Sequence, residues 1–141
     1  RAWRHVIAGA THLLDRLDRE LRTSHELTLA DYEILVHLSE APERRLRMSE
    51  LAEAALVSRS RLTHRVDRMV AKGLVEREAC ETDGRGTFAV LTAEGQRTIE
   101  EAAPTHVEGV RRYVVDALAP AELDALGQAM GGVTEAICRY E

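Results

Sequence analysis

The chain has 141 residues, a formal net charge of −5, and a 45% apolar fraction with few aromatics, which fits one domain, or a domain with an extension, built on Leu, Val and Ala. No apolar run approaches the ~20 residues of a membrane span, and charges recur every few residues near the N-terminus, unlike a secretory signal. A cytosolic protein with no membrane partner is expected. Charge is uneven: residues 42–88 hold ten Arg or Lys against eight Asp or Glu, so a weakly basic middle lies between acidic flanks and the overall sign leaves a polyanionic partner open.

Residues 2–22 place Trp3, Val6, Ile7, Ala10, Leu13, Leu14, Leu17 and Leu21 on one stripe and predict a long helix. Residues 24–27 read as a connector. Thr28, with Asp31 three residues on, resembles a capping box and starts a second helix lined by Tyr32, Leu35 and Leu38. It stops before Pro42, because the residue ahead of a proline avoids helical geometry. Glu43 to Arg47 is a polar loop with room for one short strand. Ser49 is expected to cap a short third helix with Leu51, Ala52 and Ala55 inward, and Leu56 and Val57 to make the turn after it.

The stretch from Ser58 to Gly73 is the most informative. Ser58 is an N-cap, and Gly73 is the residue expected just past the helix end, where a left-handed conformation closes it. Leu62, Val66, Met69 and Val70 form the dry face. Ser60, Arg61, His64, Asp67, Arg68 and Ala71 lie opposite, with Thr63 on one flank and Arg65 and Lys72 on the other. Arg59, Arg61, Arg65, Arg68 and Lys72 stand against one Asp, and a cationic helix with small hydroxyl residues at its start suits the major groove of DNA. Two short helices a few residues apart, the second cationic, form a helix-turn-helix pattern.

Leu74–Ala79 and 87–91 then read as strands joined through Thr82-Asp-Gly-Arg-Gly86, a hairpin that makes the motif winged. Arg85, between two glycines, is placed to enter a narrow minor groove. Thr92 caps a long helix with a stripe of Ile99, Ala103, Val107, Val110, Val114 and Leu118, which Pro104 should kink. Pro120 suits the first turn of a last helix carrying Leu123, Leu126, Met130, Val133 and Ile137, where Gly127, Gly131 and Gly132 would allow close helix approach. These long amphipathic helices at the two chain ends have more apolar surface than one small domain can cover, so they are expected to pack together and against a second copy.

Catalytic signatures are missing: there is no phosphate-binding glycine loop, nucleophile elbow or His-Glu-x-x-His. The six His are scattered; His5 and His12, a heptad apart, lack a carboxylate cluster, so neither a metal site nor a cofactor is expected. Cys80 and Cys138 read as reduced thiols, with Cys80 beside the wing leaving a thiol- or metal-responsive regulator as one alternative and a winged domain used only for protein contacts as another.

The order and spacing of Leu29-Ala-Asp-Tyr-Glu-Ile-Leu-Val-His-Leu-Ser-Glu-Ala-Pro42, Arg47-Met-Ser-Glu-Leu-Ala-Glu53, Val57-Ser-Arg-Ser-Arg-Leu-Thr-His-Arg-Val-Asp-Arg-Met69, Lys72-Gly-Leu-Val-Glu-Arg77, Asp83-Gly-Arg-Gly86 and Val90-Leu-Thr-Ala-Glu-Gly95 resemble the MarR family of bacterial transcription regulators across almost the whole chain. The resemblance implies a mainly α winged helix-turn-helix fold of about six helices. Residues 28–91 would bind DNA, and residues 1–27 and 92–141 would form the dimer. It implies a homodimer, most often a repressor, on a pseudo-palindromic double-stranded operator. Ser60, Arg61, Thr63, His64 and Arg68 would face the major groove and Arg85 the minor groove. Asp83 would orient nearby arginines, and Arg47 and Ser49 would lie near phosphates. A small aromatic or anionic effector would sit in a crevice involving Trp3, His12, Tyr32 and His37. Two positions depart from the family pattern. His64 stands where Arg is usual, which would make affinity pH-sensitive, and Gly84 replaces a wing Arg, which would flatten the salt dependence.

Overall fold

The computed structural model describes residues 1–80 and 86–140. Helix α1 (Ala2–His25) outruns its predicted end by three residues, carried by i,i+4 pairs such as Arg22 with Asp18 at 2.7 Å, and closes on Glu26 in the left-handed region (φ 52°). Its apolar stripe divides: Leu17 and Leu21 are buried and Leu13 packs at the edge of the core, while Trp3, Val6, Ile7 and Leu14 stay exposed. Helix α2 (Leu29–Glu40) is capped twice. Thr28 Oγ1 accepts the Asp31 N–H at 3.0 Å, and Asp18 of α1 accepts the Leu29 N–H at 2.9 Å. Leu29, Tyr32, Ile34, Leu35 and Leu38 are all buried because α2 is the central element, packed by α1, α3, α5 and the sheet.

A single turn, Pro42–Arg44, leads to β1 (Arg45–Arg47) and α3 (Met48–Ala54). Ser49 is not the cap expected of it. The Glu50 carboxylate reaches back to the Arg47 N–H at 3.2 Å, so Arg47 is the N-cap, the helix begins two residues earlier at Met48, and Ser49 falls inside the first turn. Leu56, with φ 56°, closes α3: its N–H meets Glu53 O and the Val57 N–H meets Ala52 O. Helix α4 (Arg59–Ala71) follows, then β2 (Val75–Ala79) and β3 (Thr87–Leu91). β2 pairs antiparallel with β3 from Val75 opposite Leu91 to Ala79 opposite Thr87. β1 zips onto the other edge of β3, Arg47 opposite Phe88, making a three-stranded sheet in the order β1-β3-β2 rather than a bare hairpin.

Helix α5 (Ala93–Val110) passes through Pro104 and changes its hydrogen-bond ladder further on, in a π turn over Arg111–Val115. Pro104 is exposed, so the carbonyl it leaves unmatched can meet water. Helix α6 (Pro120–Cys138) starts with proline in its first turn and has no buried residue; Gly127, Gly131 and Gly132 face open space within one chain.

The sheet is locked to α5 at one point. Thr92 accepts the Gly95 N–H at 3.0 Å and donates its hydroxyl to Gly73 O at 2.7 Å, while a Cβ on Gly95 would lie 2.2 Å from the Leu74 carbonyl oxygen. Backbone cannot yield there as a flexible side chain could. Gly95→Ala should therefore lower stability by about 1–3 kcal/mol or more, read as a fall in Tm by circular dichroism.

Candidate nucleic-acid interface

The local sequence of α4 sets both ends of the helix. Ser58 Oγ accepts the Arg61 N–H at 3.3 Å. At the other end the Leu74 N–H meets Met69 O and the Gly73 N–H meets Val70 O, with Gly73 at φ 75°, a conformation that glycine adopts without steric cost. Leu62, Val66 and Met69 are buried as expected, but Val70 is 38% exposed, because the helix meets the core on a narrower face than the four-residue stripe implies.

The outward side presents Ser58, Arg59, Ser60, Arg61, Thr63, His64 and Lys72, all exposed, with Arg65 half-buried on the flank. The Thr63 hydroxyl is already used, donating to Arg59 O at 2.9 Å. Asp67 and Arg68, read from the sequence as members of this outer face, turn their charged ends to opposite sides. Arg77 of β2 donates from Nη1 to Asp67 Oδ1 at 2.5 Å and from Nη2 to Thr63 O at 3.4 Å, tying α4 to the wing. Arg68 Nη2 donates to Asp31 Oδ1 of α2 at 3.2 Å. Neither tie was read from the sequence, because no local pattern pairs Asp67 with Arg77 ten residues on or Arg68 with Asp31 thirty-seven residues back.

A cleft of about 730 Å³ runs between α4 and the sheet, lined in part by Arg47, Ser49, Arg59, Thr63 and Arg77. The structure thus brings Arg47 and Ser49 to the same surface as the start of α4. Arg45 and Arg47 both lie over the Phe88 ring, at 4.3 and 5.6 Å from its centroid. Asp83, Gly84 and Arg85 lie outside the described residues. An exposed helix with a cationic start, beside a basic cleft and a strand pair, can place one element in a groove and its neighbour on the backbone.

The four candidate effector residues do not converge in one chain. Tyr32 and His37 line a crevice of about 360 Å³ with Glu33, Val36, Leu56 and His106. His12 lines a separate apolar groove of about 640 Å³ with His5, Leu13, Tyr113, Leu126 and Met130. Trp3 lines neither and is 71% exposed. His106 escaped sequence reasoning, since a lone His in a helix carries no signal. Its ring lies 4.8 Å from that of Tyr32, and its Nδ1 is buried without a hydrogen-bond partner.

Burial holds the His106 pKa below its ordinary 6.5, partly opposed by the nearby Glu33 carboxylate, and burial first and Glu40 second push the Tyr32 hydroxyl up. An unfolded chain takes up the imidazole proton first as pH falls, so the stability that His106 leaves intact above 6.5 is lost as pH drops toward its lower folded pKa. His106→Leu should flatten this acid-side decline, seen in Tm measured between about pH 7 and pH 5.

Among the described residues no group of three or more His, Cys, Asp or Glu is placed to hold a metal ion. Cys80 is 3% exposed at the end of β2, poor access for an oxidant, whereas Cys138 is exposed. No helix among the described residues is long and apolar enough to cross a membrane.

Among the described residues, six helices with a helix-turn-helix abutting a three-stranded wing define a winged helix-turn-helix protein. The chain belongs to the MarR family of transcriptional regulators, whose family model matches residues 25–86. It is 33% identical over 100 residues to the transcriptional regulator HosA of Escherichia coli, spanning 67% of this chain and 73% of HosA. It is 31% identical over 108 residues to the regulator PecS of Dickeya dadantii, covering 75% of this chain but 64% of PecS, less than two thirds of that protein's length. Two Streptomyces coelicolor structures share the fold closely. The MarR family transcriptional regulator Sco3205, in complex with DNA, is 46% identical with a TM-score of 0.94 over 96% of this chain and 88% of its own. AbsC, also a MarR family transcriptional regulator, is 45% identical with a TM-score of 0.93 over 99% and 93%.

Proposed function

We propose that the chain is a homodimeric, sequence-specific regulator that binds a pseudo-palindromic double-stranded DNA operator, acts as a repressor in the cytoplasm, and is released by a small aromatic or anionic effector. The observation that carries the reading is the outward face of α4, where Arg59, Ser60, Arg61 and His64 stand exposed beside a cleft lined by Arg47, Ser49 and Arg77. In this reading Ser60, Arg61, Thr63, His64 and Arg68 meet base edges. Arg47, Ser49, Ser58, Arg59, Arg65 and Lys72 meet phosphates or position the helix, and Arg85, with Asp83, serves the minor groove. The DNA-bound form of Sco3205 supports the partner class.

Residues 28–91 would form the DNA-binding part and residues 1–27 and 92–141 the dimer. The exposed stripes of α1 and α6, including Ile7, Leu14, Leu126, Met130, Val133 and Ile137, support a second copy as their cover. The effector crevice is reduced to Tyr32, His37 and His106 within one chain, with Trp3 and His12 able to join only across a dimer. No catalytic role is assigned.

Selection of bound duplexes from a random pool, with and without phenolic acids, tests the reading. Enrichment of an inverted repeat, lost on adding a phenolic acid, is expected. A chain that sediments as a monomer and enriches no sequence at low ionic strength would overturn it.

A further inference from the structure

Asp31 is the one buried charged residue in the described part of the chain, 3% exposed at the third position of α2. Helix capping does not explain its carboxylate. The cap is made by its backbone N–H to Thr28 Oγ1, so an uncharged side chain would serve as well. A buried carboxylate is unfavourable unless paired, and its partner is Arg68 of α4, whose Nη2 donates to Oδ1 at 3.2 Å. The pair is lopsided: the Asp31 side chain is 4% exposed and that of Arg68 58%. One end is fixed inside the scaffold, and the other emerges on the helix read here as entering the major groove.

We propose that Asp31 is a positioning residue that sets the base choice made by Arg68; this deepens, and rests on, the reading of α4 as the DNA-recognition helix. A guanidinium carries five N–H donors in a rigid planar fork, and the contact with Asp31 uses a donor on one nitrogen. The others remain available to a base edge. An untethered arginine on a helix surface samples many rotamers and meets any nearby phosphate. Anchored at one edge to a buried carboxylate, it keeps one direction before DNA arrives, which favours the base pair matching that direction over a generic backbone contact. The same arrangement limits what the pair adds to folding, because Arg68 is largely in water and an ion pair so exposed is weak. Removing Asp31 deletes a buried charge and leaves the arginine solvated, so the fold should tolerate the change.

The test uses the full chain, the operator obtained by selection, and random duplex DNA. Dissociation constants for both DNAs are measured for the parent, Asp31→Ala, Asp31→Asn, Arg68→Ala and Asp31→Ala with Arg68→Ala, with Tm recorded for each variant. Asp31→Ala should lower the ratio of specific to random affinity about tenfold, through weaker operator binding and with random binding undiminished. Asp31→Asn, which keeps an acceptor oxygen in place without the charge, should recover part of the loss. In the Arg68→Ala background the Asp31 change should have no further effect.

Equal loss on both DNAs, tighter operator binding by Asp31→Ala, or an undiminished effect without Arg68 would each overturn the proposal. Should Asp31→Ala fail to fold, Asp31→Asn carries the test, and parent-like discrimination by it would count against the charge having this role. If Arg68→Ala itself discriminates like the parent, the placement of Arg68 in the groove fails. If Arg68→Ala loses discrimination while the Asp31 variants keep it, only the present inference fails.

Discussion

Val133→Asp combined with Ile137→Asp is expected to leave a folded monomer that binds an inverted-repeat operator at least ~10²-fold more weakly than the parent, while its affinity for an isolated half-site changes little. Both residues are on α6, 50% and 56% exposed, in a helix with no buried residue. Because they touch no core of their own chain, the substitutions should not unfold it. A helix that buries nothing within its chain has little reason to keep an apolar stripe unless another surface covers it, and two carboxylates placed in that interface would be desolvated without partners. The loss on the operator comes from avidity: two linked recognition helices engage two half-sites with a high effective concentration, and a monomer has only one. Sedimentation equilibrium together with titration of full and half operators checks both parts. A variant that remains dimeric would move the interface away from α6.

Arg68→Ala is expected to weaken operator binding by about 1–3 kcal/mol and to relax base preference at one position of each half-site, whereas Arg85→Ala should cost a similar amount of affinity with less change in preference. The contrast follows from what each groove displays. Each base pair has a distinct donor and acceptor pattern in the major groove, while the minor groove mostly separates A·T from G·C and attracts arginine through its width. Arg68 is the more demanding case because the structure engages it with Asp31, so a base edge must take donors that this contact leaves free. Competition binding against single-position operator variants reads the preference, and salt titrations read the charge: each lost phosphate contact should lower the salt slope by about 1. If both alanine variants behaved like the parent, the groove assignments would be wrong.

Local rules made much of this molecule legible before any coordinates. The ends of α4 follow from a serine that caps the first turn and a glycine that tolerates φ 75°; both act within a few residues. The strands 75–79 and 87–91 follow from the change of period after Gly73. Short-range chemistry also produced the error at Ser49, where a nearby glutamate moved the start of α3 by two residues. The pairing of β1 with β3 was out of reach, because three residues are too short a stretch to announce a partner more than forty positions away.

By itself the sequence determined the order and type of most elements and the cationic side of α4, because periodicity, caps and charge act locally and survive in one dimension, while the order and spacing of its motifs carried the resemblance to the family. Only the tertiary structure decided which charges are engaged. Asp67 and Arg68 are neighbours in sequence, yet one is held by the wing and the other by α2, since adjacent helical residues point about 100° apart and meet whatever packs on each side. It likewise separated His12 from Tyr32 and brought His106 to Tyr32, because proximity between distant segments depends on how the helices cross.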